Sequence, residues 1–258
     1  MPAFSARSIV ASTLLGTLPP RLPGRLLVAF AEEFGVNSGT TRVALSRMVD
    51  RGELDREDGG HYVLAGALLE RQDRQEAGLS PTTRVWSGDW EMYIVRPAAR
   101  GSAERAALRR AGVHLGLGER RDGVWMRPDN LDPDRQAAAR LVMAEQADRF
   151  VTRPDSGESE LVEQLFGVDA WSATAAGLQE RMSLMATDLD AGTPGSLTEG
   201  FEVAADTLRH LVLDPLLPDR LWPTAWPAAA LRKSYEAYNE TYRSHLSAFF
   251  RSRSRLTG

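Results

Sequence analysis

The sequence predicts an α+β, multidomain fold, on three observations. Residues 5 to 65 read as three short helices followed by a β-hairpin. Residues 86 to 154 alternate strand and helix in the order β-α-β-β-α-β. From residue 158 onward the apolar residues keep a helical period. The implied division is 1–66, 67–80, 81–155 and 156–258: a winged helix-turn-helix, a connecting helix, a ferredoxin-like unit and a helical C-terminal domain.

In the first segment, "SARSIVASTLLGT" places Ile9, Val10, Thr13 and Leu14 on one helical face, with Ser5 as its cap. "LPPRLPG" then breaks the helix, because prolines cannot continue it. A second helix over about 24–34 buries Leu27, Phe30 and Phe34. The turn "GVNSG" follows, with Ser38 placed to cap the next helix. That third helix turns Thr41, Ala44, Leu45 and Met48 inward. "ELDREDGGHYVLA" reads as a hairpin turning at Asp58-Gly59-Gly60.

Three helices and a hairpin are the layout of a winged helix, and the third helix has the chemistry to enter a DNA groove. Thr40, Arg42, Val43, Ser46 and Arg47 fall opposite its core stripe. Arginine is the side chain best shaped for bidentate contact with guanine. Small residues at the helix start allow close approach, and its N-terminal amides can face phosphate. The candidate DNA contacts are therefore Thr40, Thr41, Arg42, Ser46 and Arg47, with Ser38 at the helix start and Arg21 and Arg25 near the second helix. Charge agrees in part. Residues 1–49 hold five arginines against two glutamates, a net of +3, whereas residues 50–58 carry a net of −3. The wing would touch DNA only at its tip, through Arg56 or His61. Exposed arginines also simply solvate helices, so a protein-binding module is the rival reading.

Residues 66–80 read as a charged, solvated helix. Next come a strand at 86–96, a helix at 101–112 with Ala107, Leu108 and Ala111 inward, and two strands turning at Arg121-Asp122-Gly123. A helix at about 132–145 and the strand "DRFVTRP" complete the ferredoxin-like order, and "RPDSGES" is a linker. The C-terminal third contains "ELVEQLFGV", a helix from Ser196 through Leu213, a proline-punctuated loop and a helix over about 228–250, with "RSRSR" as a frayed tail.

Composition narrows the function. Apolar content of 43% and charged content of 26% are those of an ordinary globular protein. The net charge of −4 argues against a chain coated in nucleic acid and leaves room for a local basic patch. Without cysteine there is no disulfide, iron–sulfur cluster or cysteine-ligated zinc. The four histidines, His61, His114, His210 and His245, lack ligand spacing, so no metal site or cofactor is expected. There is no basic leader before the first apolar run, and no stretch reaches the roughly 20 apolar residues of a membrane span. The expected location is cytoplasmic. No GxSxG, GxxxxGK[ST] or GxGxxG occurs, and no enzyme is expected.

The run "ARSIVASTLLG…PPRLPGRLLVAFAEEFGVNSGTTRVALSRMVDRGEL…HYVLAG" resembles the PaaX-type family, repressors of phenylacetate catabolism. So do "GVWMRPDNL" at 123–131 and "LDPLLPDRLWPTAWP" at 213–227. "TTRVALSRM" alone is also similar to the recognition helix of GntR-type regulators. The family resemblance implies a bacterial repressor with a winged helix, a middle unit similar to Cas2, and a helical C-terminal domain. It further implies release from operator DNA by an aryl-CoA thioester such as phenylacetyl-CoA; the expected assembly is a homodimer. Such an effector needs cations for its phosphates and an apolar pocket for its acyl end. Trp125 and Arg127, sharing one strand face, and Trp222 and Trp226 on the proline-rich loop are the candidates, against the plain reading that tryptophan is core. The likeness to Cas2 raises a metal-dependent nuclease as a rival. Its aspartate would end the first strand, where this chain has Arg96 and Pro97, and a cation repels Mg²⁺.

Overall fold

The computed structural model describes residues 4–97, 100–132, 134, 136–155, 157–222 and 226–255. In chain order its elements are α1 (Ala6–Gly16), β1 (Arg21–Pro23), α2 (Gly24–Glu33), α3 (Ser38–Asp50), β2 (Leu54–Glu57), β3 (His61–Leu64), α4 (Ala67–Leu79), β4 (Trp90–Val95), α5 (Ser102–His114), β5 (Gly118–Arg121), β6 (Val124–Pro128), α6 (Ala137–Gln146), β7 (Ala147–Thr152), α7 (Glu158–Phe166), α8 (Val168–Ala191), α9 (Ser196–Val212) and α10 (Ala228–Arg255). The architecture is α+β, with two small antiparallel sheets among the described residues.

Contacts divide the chain into two compact units. One comprises Met1–Glu76, Leu178–Arg209 and Leu231–Gly258; the other comprises Ala77–Gly177 and His210–Ala230. The C-terminal helical segment therefore contributes to both units. The boundaries fall inside α4, α8, α9 and α10 rather than in the loops between helices.

In the first unit, α1 begins where Ser5 Oγ accepts the Ser8 amide at 3.2 Å. Ile9, Val10, Thr13 and Leu14 are all buried, as their spacing predicts. The proline segment contains a strand the sequence did not announce. β1 lies at the sheet edge in the order β1-β3-β2, buries Leu22, and pairs antiparallel with β3. An edge is where proline is tolerated, since no ladder donor is needed there. The hairpin of β2 and β3 turns over residues 58–60, as expected. Phe30 is fully buried; Phe34, expected inward beside it, follows α2 half-buried and meets Phe30 edge-on at 5.3 Å.

The same unit draws on the C-terminal helices. Phe30 packs edge-on against Phe201 of α9 at 5.8 Å and Phe250 of α10 at 6.0 Å. The Tyr238 hydroxyl donates to the Gly200 carbonyl at 2.8 Å, and burial pushes the neighbouring Tyr235 hydroxyl up to about 12. "RSRSR", expected to fray, is helical through Arg255. Arg253 bonds Glu33 at 2.6 Å and lies over the Phe249 ring, which holds the last turn.

The second unit has a four-stranded sheet in the order β5-β6-β4-β7. Its helix side buries Tyr93 and Trp125 with Leu108 and Ala111 of α5 and Ala139 and Met143 of α6. Gly112 permits this: a Cβ there would lie 2.9 Å from the Trp125 ring. Gly123, at φ 73°, makes the tight turn from β5 to β6. β4 starts at Trp90 rather than residue 86, because the Trp86 indole donates to the Asp89 carbonyl at 2.6 Å and bends the chain first. α6 starts at Ala137; Pro133 and Arg135 of the expected helix lie outside the described residues, as do Ser156 of the linker and residues 223–225 of the proline-rich loop.

Candidate nucleic-acid interface

α3 is set by its cap and its core stripe. Asn37 is extended, and its side-chain oxygen accepts the Thr40 amide at 2.8 Å. Ser38, expected to be the cap, is already the first helical residue, so the capping position lies one residue earlier. Thr41, Leu45 and Met48 form the buried stripe. Thr41 is fully buried, and its hydroxyl donates to the Asn37 carbonyl at 3.3 Å. It is a core residue and is not presented to a partner.

The other expected contacts of α3 share its outer face. Thr40, Arg42, Val43, Ser46 and Arg47 are all exposed, Val43 to 51%. Arg25, in the first turn of α2, is exposed too. Among the described residues, no ion-pair partner reaches Arg25, Arg42, Arg47, Arg51 or Arg56. Other arginines of the unit are engaged. Arg21 bonds Glu57 at 2.6 Å from within β1, and Arg7 bonds Glu53 at 2.8 Å, which raises its pKa. Arg21 is thus a strand residue already paired with Glu57 of β2. An exposed arginine held by no carboxylate keeps its full charge for phosphate or a base edge.

The residues expected to hold an effector are not laid open in this way. Trp125 is buried in the core between sheet and helices. Arg127 is 1% exposed. It donates to the carbonyls of Leu115 at 2.7 Å, Pro128 at 3.0 Å and Pro215 at 3.2 Å, and to Asn130 Oδ1 at 2.9 Å. Its donors are consumed internally. The strand spacing put both residues on one face correctly, but that face is covered. Trp226 is buried, stacks on Trp171 at 4.6 Å and donates to Asp214 at 3.3 Å. Trp222 is half-buried and donates to the Leu217 carbonyl at 2.9 Å.

Sequence reasoning missed the group beside Arg127. Glu91 is fully buried on β4, with Arg140 at 3.1 Å, Arg149 at 3.2 Å and the Tyr93 hydroxyl at 3.2 Å. Burial, with Glu91 next to it, holds the Tyr93 hydroxyl above its ordinary pKa. Arg140 and Arg149 border a groove of about 790 Å³ with Arg84 and Phe150. A glutamate in an otherwise apolar strand was the one available signal. Arg96 bonds Asp148 at 2.8 Å and the Ala144 carbonyl at 3.0 Å, so it closes the C-terminal end of α6. A cation suits that end of a helix dipole. Among the described residues no carboxylate–histidine group is arranged to hold a metal, and no helix is long and apolar enough to cross a membrane.

Comparison with known proteins places these features in a family. Residues 5–68 match the family described as PaaX-like protein, and residues 169–252 match the PaaX-like protein C-terminal domain. No curated protein matches the chain. Uncharacterized protein Rv0674 from Mycobacterium tuberculosis, a solved structure, is similar at 38% identity with a TM-score of 0.70. The match covers 95% of this chain and 98% of that one. Two family regions in order and a likeness along nearly the whole length lead to one conclusion: the chain belongs to the PaaX-like family.

Proposed function

We propose that this protein is a DNA-binding transcriptional repressor of an aromatic-acid, phenylacetate-type pathway, released from its operator by an aryl-CoA thioester such as phenylacetyl-CoA. The observation that carries the DNA reading is the outer face of α3, where Arg42 and Arg47 stand exposed beside Thr40, Val43 and Ser46 with no carboxylate among the described residues holding them. The arrangement of α1, α2 and α3 with the β1-β3-β2 sheet supports a winged helix. In it α3 lies in the major groove, Arg25 and Arg51 meet phosphates, and the acidic strand of the wing stays off the duplex. The order β5-β6-β4-β7 with α5 and α6 on one side supports a ferredoxin-like, Cas2-like second unit. Two copies on a symmetric dimer would place two recognition helices about one helical turn apart.

The test is fluorescence polarisation of labelled duplex from the gene's own upstream region, at fixed salt because phosphate contacts make affinity salt-dependent. Saturable binding, competed by the same duplex and not by a scrambled one, and reversed by phenylacetyl-CoA but not by CoA or phenylacetate, supports the reading. Absence of sequence-specific binding would move a protein-docking role for the winged helix ahead of it.

A further inference from the structure

We infer that the cleft between the first turn of α1 and the outer face of α3 is a binding site for an amphipathic organic anion, and that its occupancy excludes DNA. The inference rests on α3 being the DNA-contacting helix. The cleft measures about 560 Å³ and lies wholly within the first unit. That size lies within the range of small-molecule sites. Its lining is apolar along one stripe: Ala6 from α1, then Val43, Ala44 and Met48 from α3. Met48 is 1% exposed, so it forms a floor rather than a rim.

Cations border this floor. Arg7, Arg47 and Arg51 all line the cleft. Glu53 occupies Arg7, whereas no carboxylate among the described residues engages Arg47 or Arg51. A ligand matching both features has an apolar body against Met48 and Val43 and an anionic group, carboxylate or phosphate, between two guanidinium groups. A cationic ligand would be repelled. A purely apolar one would strip water from the arginines without return. A DNA strand offers phosphates, but its apolar groups, deoxyribose and the thymine methyl, are small beside a cleft of about 560 Å³.

Thr40, Val43 and Arg47 line the cleft and also belong to the face proposed to meet DNA. Ligand and duplex therefore claim the same side chains. Release is then direct competition and needs no change of dimer geometry. Linkage makes the consequence strict, since a ligand that binds only DNA-free protein lowers operator affinity in proportion to its saturation.

The experiment is calorimetric titration of the DNA-free full chain with phenylacetyl-CoA, CoA and phenylacetate, for wild type, Ala44→Leu and Arg51→Ala. Ala44→Leu fills the middle of the cleft with a good helix former. Arg51→Ala removes an exposed cation and leaves the core alone, so it serves even if the first variant folds poorly. Binding of at least one probe, weakened about tenfold or more in each variant, is the expected result. In wild type, the apparent dissociation constant of that probe should rise in proportion to added operator. Four results overturn the proposal: no binding of any probe to DNA-free protein, full affinity in both variants, full probe affinity in Arg51→Ala alone, or a probe that adds to the operator complex without displacing DNA. The variant titrations contain no duplex, so failure of wild type to bind operator counts against the repressor reading and the exclusion of DNA, and leaves the ligand site itself standing.

Discussion

The Asn37 side-chain oxygen accepts the Thr40 amide at 2.8 Å, and that bond fixes where α3 begins. Thr40 is also the first residue of the exposed face, so helix start and candidate contact surface are coupled. Replacing an asparagine cap by alanine costs about 1 kcal/mol. Asn37→Ala should lower the unfolding free energy by that amount and weaken operator binding together. Asn37→Asp should part the two effects. The carboxylate still caps and gains from the helix dipole, so stability holds, while the added negative charge repels phosphate and affinity falls. Equal operator affinity for wild type and Asn37→Asp would remove the start of α3 from the interface.

Arg42 tests the interface at its centre. It is exposed with no acidic partner among the described residues, so Arg42→Ala should leave the melting temperature unchanged. Loss of a bidentate base contact should cost roughly 1–3 kcal/mol in discrimination between operator and mismatched duplex. Arg42→Lys should retain part of the affinity but not the discrimination, because a single ammonium lacks the fork. Arg21→Ala should do less than either, since Glu57 already holds that guanidinium. Competition binding with single-mismatch duplexes at one salt concentration reads all three. An Arg42→Ala protein that discriminates as wild type does would displace α3 from the major groove.

Local signals carried much of this structure. The stripe of Leu45 and Met48, the cap at Ser5 and the turns at Gly59 and Gly123 are short-range features, and each lies where the spacing put it. Long-range pairing was less visible. β1 is three residues among prolines, and only its partner β3 makes it a strand. Side-chain destination was the least visible. Arg127 on a strand beside Trp125 reads as a phosphate ligand, yet its acceptors are carbonyls as far away in sequence as Pro215. The cleft beside α3 joins Ala6 to Met48 across α2, and no periodicity within one helix reports such a neighbour.

Arg127 gives the clearest prediction about stability. The side chain is buried, donates to four backbone carbonyls and to Asn130, and has the Glu91 carboxylate 3.9 Å from its Nε. Arg127→Met keeps the apolar stem and removes every donor. The carbonyls of Leu115 and Pro215 lose a partner, and Glu91 loses one of its surrounding cations. Breaking a buried charged contact of this kind costs about 3–5 kcal/mol. Adding Glu91→Gln to Arg127→Met should recover part of the loss, since the carboxylate no longer needs a counter-charge. Guanidinium unfolding of the three variants measures this. A double variant whose loss equals the sum of the two single losses would mean that Arg127 and Glu91 act independently.

His210 should make stability depend on pH. Its ring stacks on Trp171 at 4.2 Å, its Nε2 lies 3.0 Å from the Trp171 carbonyl, and Trp226 also stacks on Trp171, at 4.6 Å. Burial lowers its pKa below the ordinary 6.5, and the Trp171 carbonyl and Asp214 only partly oppose this. The folded protein therefore prefers the neutral ring, and the unfolded chain binds the proton more readily. Stability from this site is fully present above the unfolded value of 6.5, and it is lost as pH falls through the lower folded value. The melting temperature of wild type should drop more between pH 7 and pH 5 than that of His210→Gln, which keeps a polar, planar side chain against Trp171 but cannot titrate. The remaining histidines and the carboxylates are common to both proteins, so their contributions cancel in the difference. Parallel pH profiles for the two proteins would show that the stacked ring accepts its proton in the fold as easily as in the unfolded chain.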